Sequence, residues 1–279
     1  MYIEAEEIAI MAFNSSLTAF DDQEFLRSDD CRGIRLELEY FKPELQMRRK
    51  RISHTVVLFG SARLRSPEEA TAHLREIEEQ LTVSPDDPKL LAAAKAAEVL
   101  IKNSAYYTMA KDFAQLITRY DESHDGGGQF VVITGGGPGI MEAGNRGASE
   151  AGGMSIGLNI KLPYEQHPNH YITPDLSFLF HYFSIRKMHF MKRARALGCF
   201  PGGFGTMDEL FEALTLVQTR VVPEMPIILF GSQFWKNLIN WQTFIDNGVI
   251  SEQDLKLFHY CDSAEEGWKI IKDFYHLED

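Results

Sequence analysis

Pro201-Gly202-Gly203-Phe204-Gly205-Thr206-Met207-Asp208-Glu209 follows a short apolar run at residues 197–200 and precedes a helical pattern, so it reads as a strand-to-helix turn of an α/β sheet. Gly202, Gly203 and Gly205 can take positive φ and leave backbone N–H groups uncovered, and a helix opening at Thr206 aims the positive end of its dipole at the same spot. An anion is expected there. Glu209 comes three residues after Thr206, one helical turn in, so its carboxylate falls beside whatever the anion carries. The spacing also fits a capping box, in which Thr206 caps the helix and Glu209 returns to the Thr206 N–H. Both readings stand on these residues alone.

Outward from this turn, six β-rich apolar runs alternate with helical patterns, at residues 55–59, 130–134, 155–160, 177–180, 197–200 and 227–230. That rhythm predicts an α/β fold with a mostly parallel sheet flanked by helices. Loops at the carboxyl ends of parallel strands share one rim, so Gly60-Ser61, Gly135 to Gly139 and Gly202 to Gly205 are expected to converge on a cleft. Residues 54–279 are taken as the main domain and 1–53 as an extension. In the extension Ile34, Leu36, Leu38 and Tyr40 alternate with Arg35, Glu37 and Glu39, a period of two that predicts an added edge strand. The run Arg48-Arg49-Lys50-Arg51 reads as a solvated junction. Residues 66–104 are predicted to form an inserted helical hairpin after the first core strand, turning at Ser84-Pro85-Asp86-Asp87-Pro88.

A net charge of -12 argues against a nucleic-acid polymer as partner, since phosphate neutralisation needs a basic footprint. Cys31, Cys199 and Cys261 are widely spaced and form no CxxC pair, so neither a disulfide framework nor a zinc site is indicated and a cytoplasmic setting is expected. No run approaches the ~20 apolar residues of a membrane span, and Glu4, Glu6 and Glu7 stand where a signal peptide would be basic. The nine histidines include no HExxH, so no catalytic metal is expected.

Gly135-Gly136-Gly137-Pro138-Gly139-Ile140-Met141-Glu142 is a second glycine turn between a predicted strand and a helix running to about residue 151. It lacks the Gly-Lys-Ser/Thr of a Walker A loop and the third glycine of a dinucleotide fingerprint. It fits a phosphate-binding turn and a tight structural turn alike. Arg186, Lys187, Lys192, Arg193 and Arg195 follow on a helical pattern. The last three suit a helix C-terminus, whereas Arg186 and Lys187 lie in the first turns, where cations need an anion, either a ligand or an acidic neighbour. Glu165 lies in the loop Leu162-Pro163-Tyr164-Glu165.

These motifs, with Phe59-Gly60-Ser61-Ala62-Arg63 and Asn145-Arg146-Gly147, resemble in order those of the Lonely Guy family of nucleoside monophosphate phosphoribohydrolases, in its long bacterial form, often mislabelled lysine decarboxylase. The resemblance covers roughly residues 54–260. It implies a Rossmann-like fold, a homodimer or higher homo-oligomer, and no cofactor. The implied reaction is hydrolysis of the N-glycosidic bond of AMP or cytokinin riboside 5'-monophosphates to free base and ribose 5-phosphate. It makes Arg186 and Glu209 the catalytic pair. The implied substrate contacts are Gly60, Ser61, Gly136, Gly137, Gly139, Met141, Glu165, Lys187 and Gly202 to Asp208, which takes in Gly203, Phe204, Gly205, Thr206 and Met207. An ionised Glu209 suits the oxocarbenium-like transition state of glycosidic cleavage. The competing expectation is a non-catalytic nucleotide carrier or sensor of the molybdenum cofactor carrier type, which needs the glycine loops but not the Arg186 and Glu209 pair. A pyridoxal-dependent decarboxylase is set aside, because no lysine stands in a convincing Schiff-base setting.

Overall fold

In a computed structural model, residues 15–124, 128–163 and 167–278 are described. Two helices lead, α1 (Gln23–Arg27) and α2 (Arg32–Arg49), followed by β1 (Thr55–Phe59) and a helical hairpin of α3 (Pro67–Val83) and α4 (Pro88–Ser123). Then come β2 (Val131–Thr134), α5 (Ile140–Glu150), β3 (Ser155–Ile160), β4 (Ser177–Phe180), α6 (Phe183–Lys192) and β5 (Ala194–Cys199). The chain closes with α7 (Phe204–Gln218), β6 (Ile227–Phe230), α8 (Ser232–Leu238), α9 (Trp241–Asp246), β7 (Phe258–Cys261) and α10 (Ala264–Tyr275).

The strands form one seven-stranded sheet in the order β4-β3-β2-β1-β5-β6-β7, every pair parallel. This is the Rossmann-like α/β architecture. Val57, Ile133, Leu158, Leu197 and Leu229 point to one apolar layer, and Val56, Leu58, Val132, Ala196 and Ile228 to the other, as alternation in a sheet buried on both faces requires. The order reverses at β1. Successive strands run outward from β1 to β4, and the chain then crosses back to lay β5 on the other side of β1. The loops leaving β1 and β5 therefore part in opposite directions, and the crevice between them is where an open α/β sheet binds its ligand.

The helical hairpin is present. Its second helix is longer than the sequence pattern indicates, because the 36 residues of α4 both pair with α3 and lay Tyr107, Ala110, Phe113, Ala114 and Ile117 on the sheet. Asp87 caps that helix through the Lys89 N–H, with Pro88 at its first position.

Three expectations are corrected. The segment around residues 34–40 is the helix α2, not an edge strand. Ile34 and Leu38, spaced by four, are 50% and 60% exposed, so the alternation of apolar residues does not mark a buried face. The inward face is instead built from Pro43, Glu44 and Met47. Arg195 belongs to β5, where its guanidinium stacks over Tyr275 at 4.9 Å and Phe130 at 5.7 Å, so it serves no helix dipole. The strand β7, with only four residues at the sheet edge and half its side chains outward, escapes an apolar-run criterion.

Candidate functional site

At the β1/β5 crevice lies a cleft of 620 Å³ lined by the rims of β1, β2, β3, α6 and α7. Backbone contacts knit its walls. The Ser61 N–H donates to the Pro201 carbonyl at 3.1 Å, and the Ser61 carbonyl accepts from the Ile140 N–H at 3.1 Å. Gly139 has φ +70°, and a Cβ there would sit 2.3 Å from the Ser61 carbonyl oxygen. The three glycine turns thus converge as expected.

Helix α7 begins at Phe204 with Gly203 as its cap residue, and no side chain caps it. Thr206 is therefore inside the first turn, and Glu209 lies a turn deeper, so the capping-box reading fails on geometry. A Cβ on Gly202 would lie 2.1 Å from Thr206 Oγ1. The bare N-terminus of α7 opens on the cleft beside Gly203, Gly205 and Thr206, which presents backbone donors and a dipole to an anion.

Glu209 lines the cleft yet is only 7% exposed. Burial pushes its carboxyl up to about 7, against the pull of Lys187 and Arg186 and with a further push from Glu212 and Asp208. Arg186, in the first turns of α6, faces the same cleft. Its Nε donates to the Leu158 carbonyl at 2.7 Å, and its guanidinium lies 5.1 Å from the Phe190 ring centre. Burial pulls the guanidinium pKa down while the Glu209 charge opposes that. The two groups thus act on each other across the cleft, with the anchored Nε leaving the remaining guanidinium donors for a ligand.

Of the residues singled out by sequence, Gly60, Ser61, Met141, Arg186, Gly203, Phe204, Gly205, Thr206, Asp208 and Glu209 line this cleft. Others are set elsewhere. Lys187 pairs with Asp208 at 3.0 Å and Glu212 at 2.9 Å, so acidic neighbours occupy it. Gly136, Gly137 and Gly139 form the turn behind the wall. Asn169 Nδ2 donates to the Gly136 and Gly137 carbonyls at 3.2 and 3.0 Å, and a Cβ on Gly136 would strike Asn159. The Ile140 N–H at the start of α5 is already bonded to the Ser61 carbonyl. Gly202 packs on Thr206. Met207 faces an outer groove along α7 with Phe211, Thr215 and Leu216. Glu165 lies outside the described residues.

Arg63, Asn159, Leu162 and Phe183 also line the cleft. Their shared signal is position, immediately beyond or at the carboxyl end of a strand, or at the start of the following helix. Among the described residues no group of three or more His, Cys, Asp or Glu could hold a metal ion, and no helix is long and apolar enough to cross a membrane.

Residues 141–271 match the family described as possible lysine decarboxylase. Among solved structures, the fold is similar to the molybdenum cofactor binding protein from the phototrophic bacterium Rippkaea orientalis, with TM-score 0.48 and 17% identity over 80% of this chain and 98% of that one. It is also similar to the structural-genomics target TM1055, with TM-score 0.46 and 17% identity over 79% and 99%. No curated protein matches the chain significantly.

Proposed function

We propose, from the match of residues 141–271 to the family described as possible lysine decarboxylase and from the motifs that resemble the Lonely Guy family, that this protein hydrolyses the N-glycosidic bond of nucleoside 5'-monophosphates such as AMP or a cytokinin riboside 5'-monophosphate. The observation that carries the reading is the buried Glu209 carboxylate facing Arg186 in a cleft whose floor is an uncapped helix N-terminus. A binding module needs the anion cradle. It gains nothing from a carboxylate held near neutrality beside it, since that charge repels a phosphate.

The phosphate is assigned to the α7 N-terminus and the free donors of Arg186. The ribose then lies over Glu209, and the base toward Leu162, Phe183 and the 95% exposed Phe204 at the mouth. As the bond from C1' to the base nitrogen breaks, its electron pair leaves with the base and positive charge grows on the ribose ring. Ionised Glu209 stabilises that charge and takes a proton from the attacking water. The hydroxyl ends on C1', the base nitrogen takes up a proton from solvent as Glu209 releases its own, and free base and ribose 5-phosphate result. The same reading assigns residues 54–279 to the catalytic domain, residues 1–53 to an added N-terminal extension, Glu165 to the substrate, a homodimer or higher assembly to the working protein, and no metal or cofactor to the reaction.

The test is incubation of the protein with a panel of nucleoside 5'-monophosphates, separating free base and ribose 5-phosphate chromatographically. Equimolar release of both from at least one substrate is expected. Binding without release from any of them would favour the carrier alternative and end this proposal.

A further inference from the structure

Helix α2 belongs to the N-terminal extension, yet it grips α6, the helix that carries Arg186, at both ends. At the N-terminal end the two carboxylate oxygens of Glu39 accept from the His181 and Tyr182 N–H groups at 2.8 and 3.1 Å. Tyr182 is the cap residue of α6 and no local side chain caps that helix, so Glu39 is the remote cap and sets a negative charge at the positive dipole end. At the other end Glu44, 2% exposed, bonds Lys192 at 2.9 Å and Arg193 at 2.8 Å. Between them His189 Nε2 donates to the Tyr40 carbonyl at 3.1 Å, and the Lys192 ammonium meets the Tyr40 hydroxyl and ring. Arg186 itself is held to β3 through the Leu158 carbonyl.

We infer that Glu39 and Glu44 are positioning residues, through which α2 fixes α6 and so sets the place of the Arg186 guanidinium against Glu209. This deepens the hydrolase reading and rests on it for its catalytic consequence. Two carboxylates spaced by five along α2 reach the two ends of a ten-residue helix, and both make charge-assisted contacts, Glu44 from a buried position and Glu39 from a half-buried one. A core that needed only to cover α6 would do so with apolar side chains. A slack α6 moves Arg186 and Lys187, whose charges both favour the ionised form of Glu209, while Asp208 and Glu212 on α7 stay in place and oppose it.

The experiment compares Glu39→Ala and Glu44→Gln with Glu37→Gln, an exposed position on the same helix that removes the same unit of charge. Two quantities are read. One is the carbon-13 NMR titration of the Glu209 carboxyl, assigned by its absence in Glu209→Gln. The other is adenine release from AMP. In Glu39→Ala and Glu44→Gln the Glu209 midpoint is expected to rise by about half a unit or more, and kcat to fall roughly tenfold with KM little changed. Glu37→Gln should match the wild type, and Glu39→Gln, which keeps one acceptor oxygen, should recover part of the loss. If Glu44→Gln does not fold, Glu39→Ala decides. A folded Glu39→Ala that titrates as the wild type overturns the inference, even if turnover falls, and so does a shifted midpoint with unchanged turnover. Should the wild type release no base from any nucleotide, the hydrolase reading fails separately, and the titration still reports whether α2 sets the Arg186 position.

Discussion

Glu209 is held in a setting that disfavours the form the chemistry needs. It is only 7% exposed, and burial pushes its carboxyl up to about 7, whereas the proposed hydrolysis uses the carboxylate. The pH dependence follows with a definite sign. Activity governed by ionised Glu209 rises with pH through about 7 and levels above it, and kcat/KM reports this for the free protein. A bound phosphate dianion repels the carboxylate, so the midpoint seen in kcat should lie above that in kcat/KM. Coincident midpoints well below 6 would show that another group limits the rate. Glu209→Gln keeps the side-chain volume and removes the charge, and we expect a loss of ~10²-fold or more in kcat with the fold intact by circular dichroism. Near-normal turnover would leave Glu209 without a chemical role. Arg186→Lys keeps a charge but not the planar fork or the bond from Nε to the Leu158 carbonyl, and it should lose rate by ~10-fold or more even where nucleotide binding persists.

At the scale of elements, the strand-to-helix turn after β5 is defined by which glycines have room. Gly202→Ala places a Cβ 2.1 Å from Thr206 Oγ1, whereas Gly205→Ala meets nothing within 4 Å. The first should destabilise by ~1–3 kcal/mol and weaken ribose 5-phosphate binding. The second should leave the melting temperature equal or slightly raised, because alanine loses less backbone freedom in a helix. Equal effects of the two substitutions would refute this steric account. The same contrast marks what the sequence reveals. The strands buried on both faces are legible because their residues are nearly all apolar, and the crevice is legible because glycine turns follow strand ends. The cap of α7 is not, since Thr206 and Glu209 satisfy a capping spacing that the helix, starting two residues earlier, does not use. Helix α2 is not legible either. Its inward face sets the carboxylate of Glu44 between Pro43 and Met47, and Glu44 with the half-buried Glu39 and Tyr40 makes sense only against α6, which lies about 140 residues further along. Lys187 shows the same limit, since its partners Asp208 and Glu212 are identified only once α7 is packed beside α6.

Over the whole molecule, three buried groups with large shifts shape stability against pH, and their signs differ. Glu44 is pulled down to about 2, first by its bond from Arg193, so its contribution is present above the ordinary carboxylate range and is lost as pH falls from about 4.5 through 2. His189, pushed down to about 4 chiefly by burial, has its Nδ1 unpartnered, and it too withdraws stability as pH falls, from about 6.5 through 4. Glu209 acts the other way. Its raised pKa stabilises the fold below about 4.5, and that contribution is lost as pH rises through 7. Between about 4.5 and 6.5 the His189 and Glu209 slopes oppose each other, so the unfolding free energy from urea titrations should be nearly flat there, with a fall below 4.5 dominated by Glu44. Removing one group isolates its share. Glu209→Gln should equal the wild type near pH 4 and exceed it by on the order of 2–3 kcal/mol at pH 8, because the variant no longer buries a charge. Glu44→Gln should be less stable by ~2 kcal/mol at pH 7, a figure reduced from the buried-pair range because Lys192 is partly exposed, and its deficit should shrink toward pH 2. A Glu209→Gln variant that is less stable than the wild type at pH 8 would mean that the carboxylate is held by compensating bonds rather than strained for use, and the cleft would then lack the stored electrostatic cost expected of a site built around a reactive carboxylate.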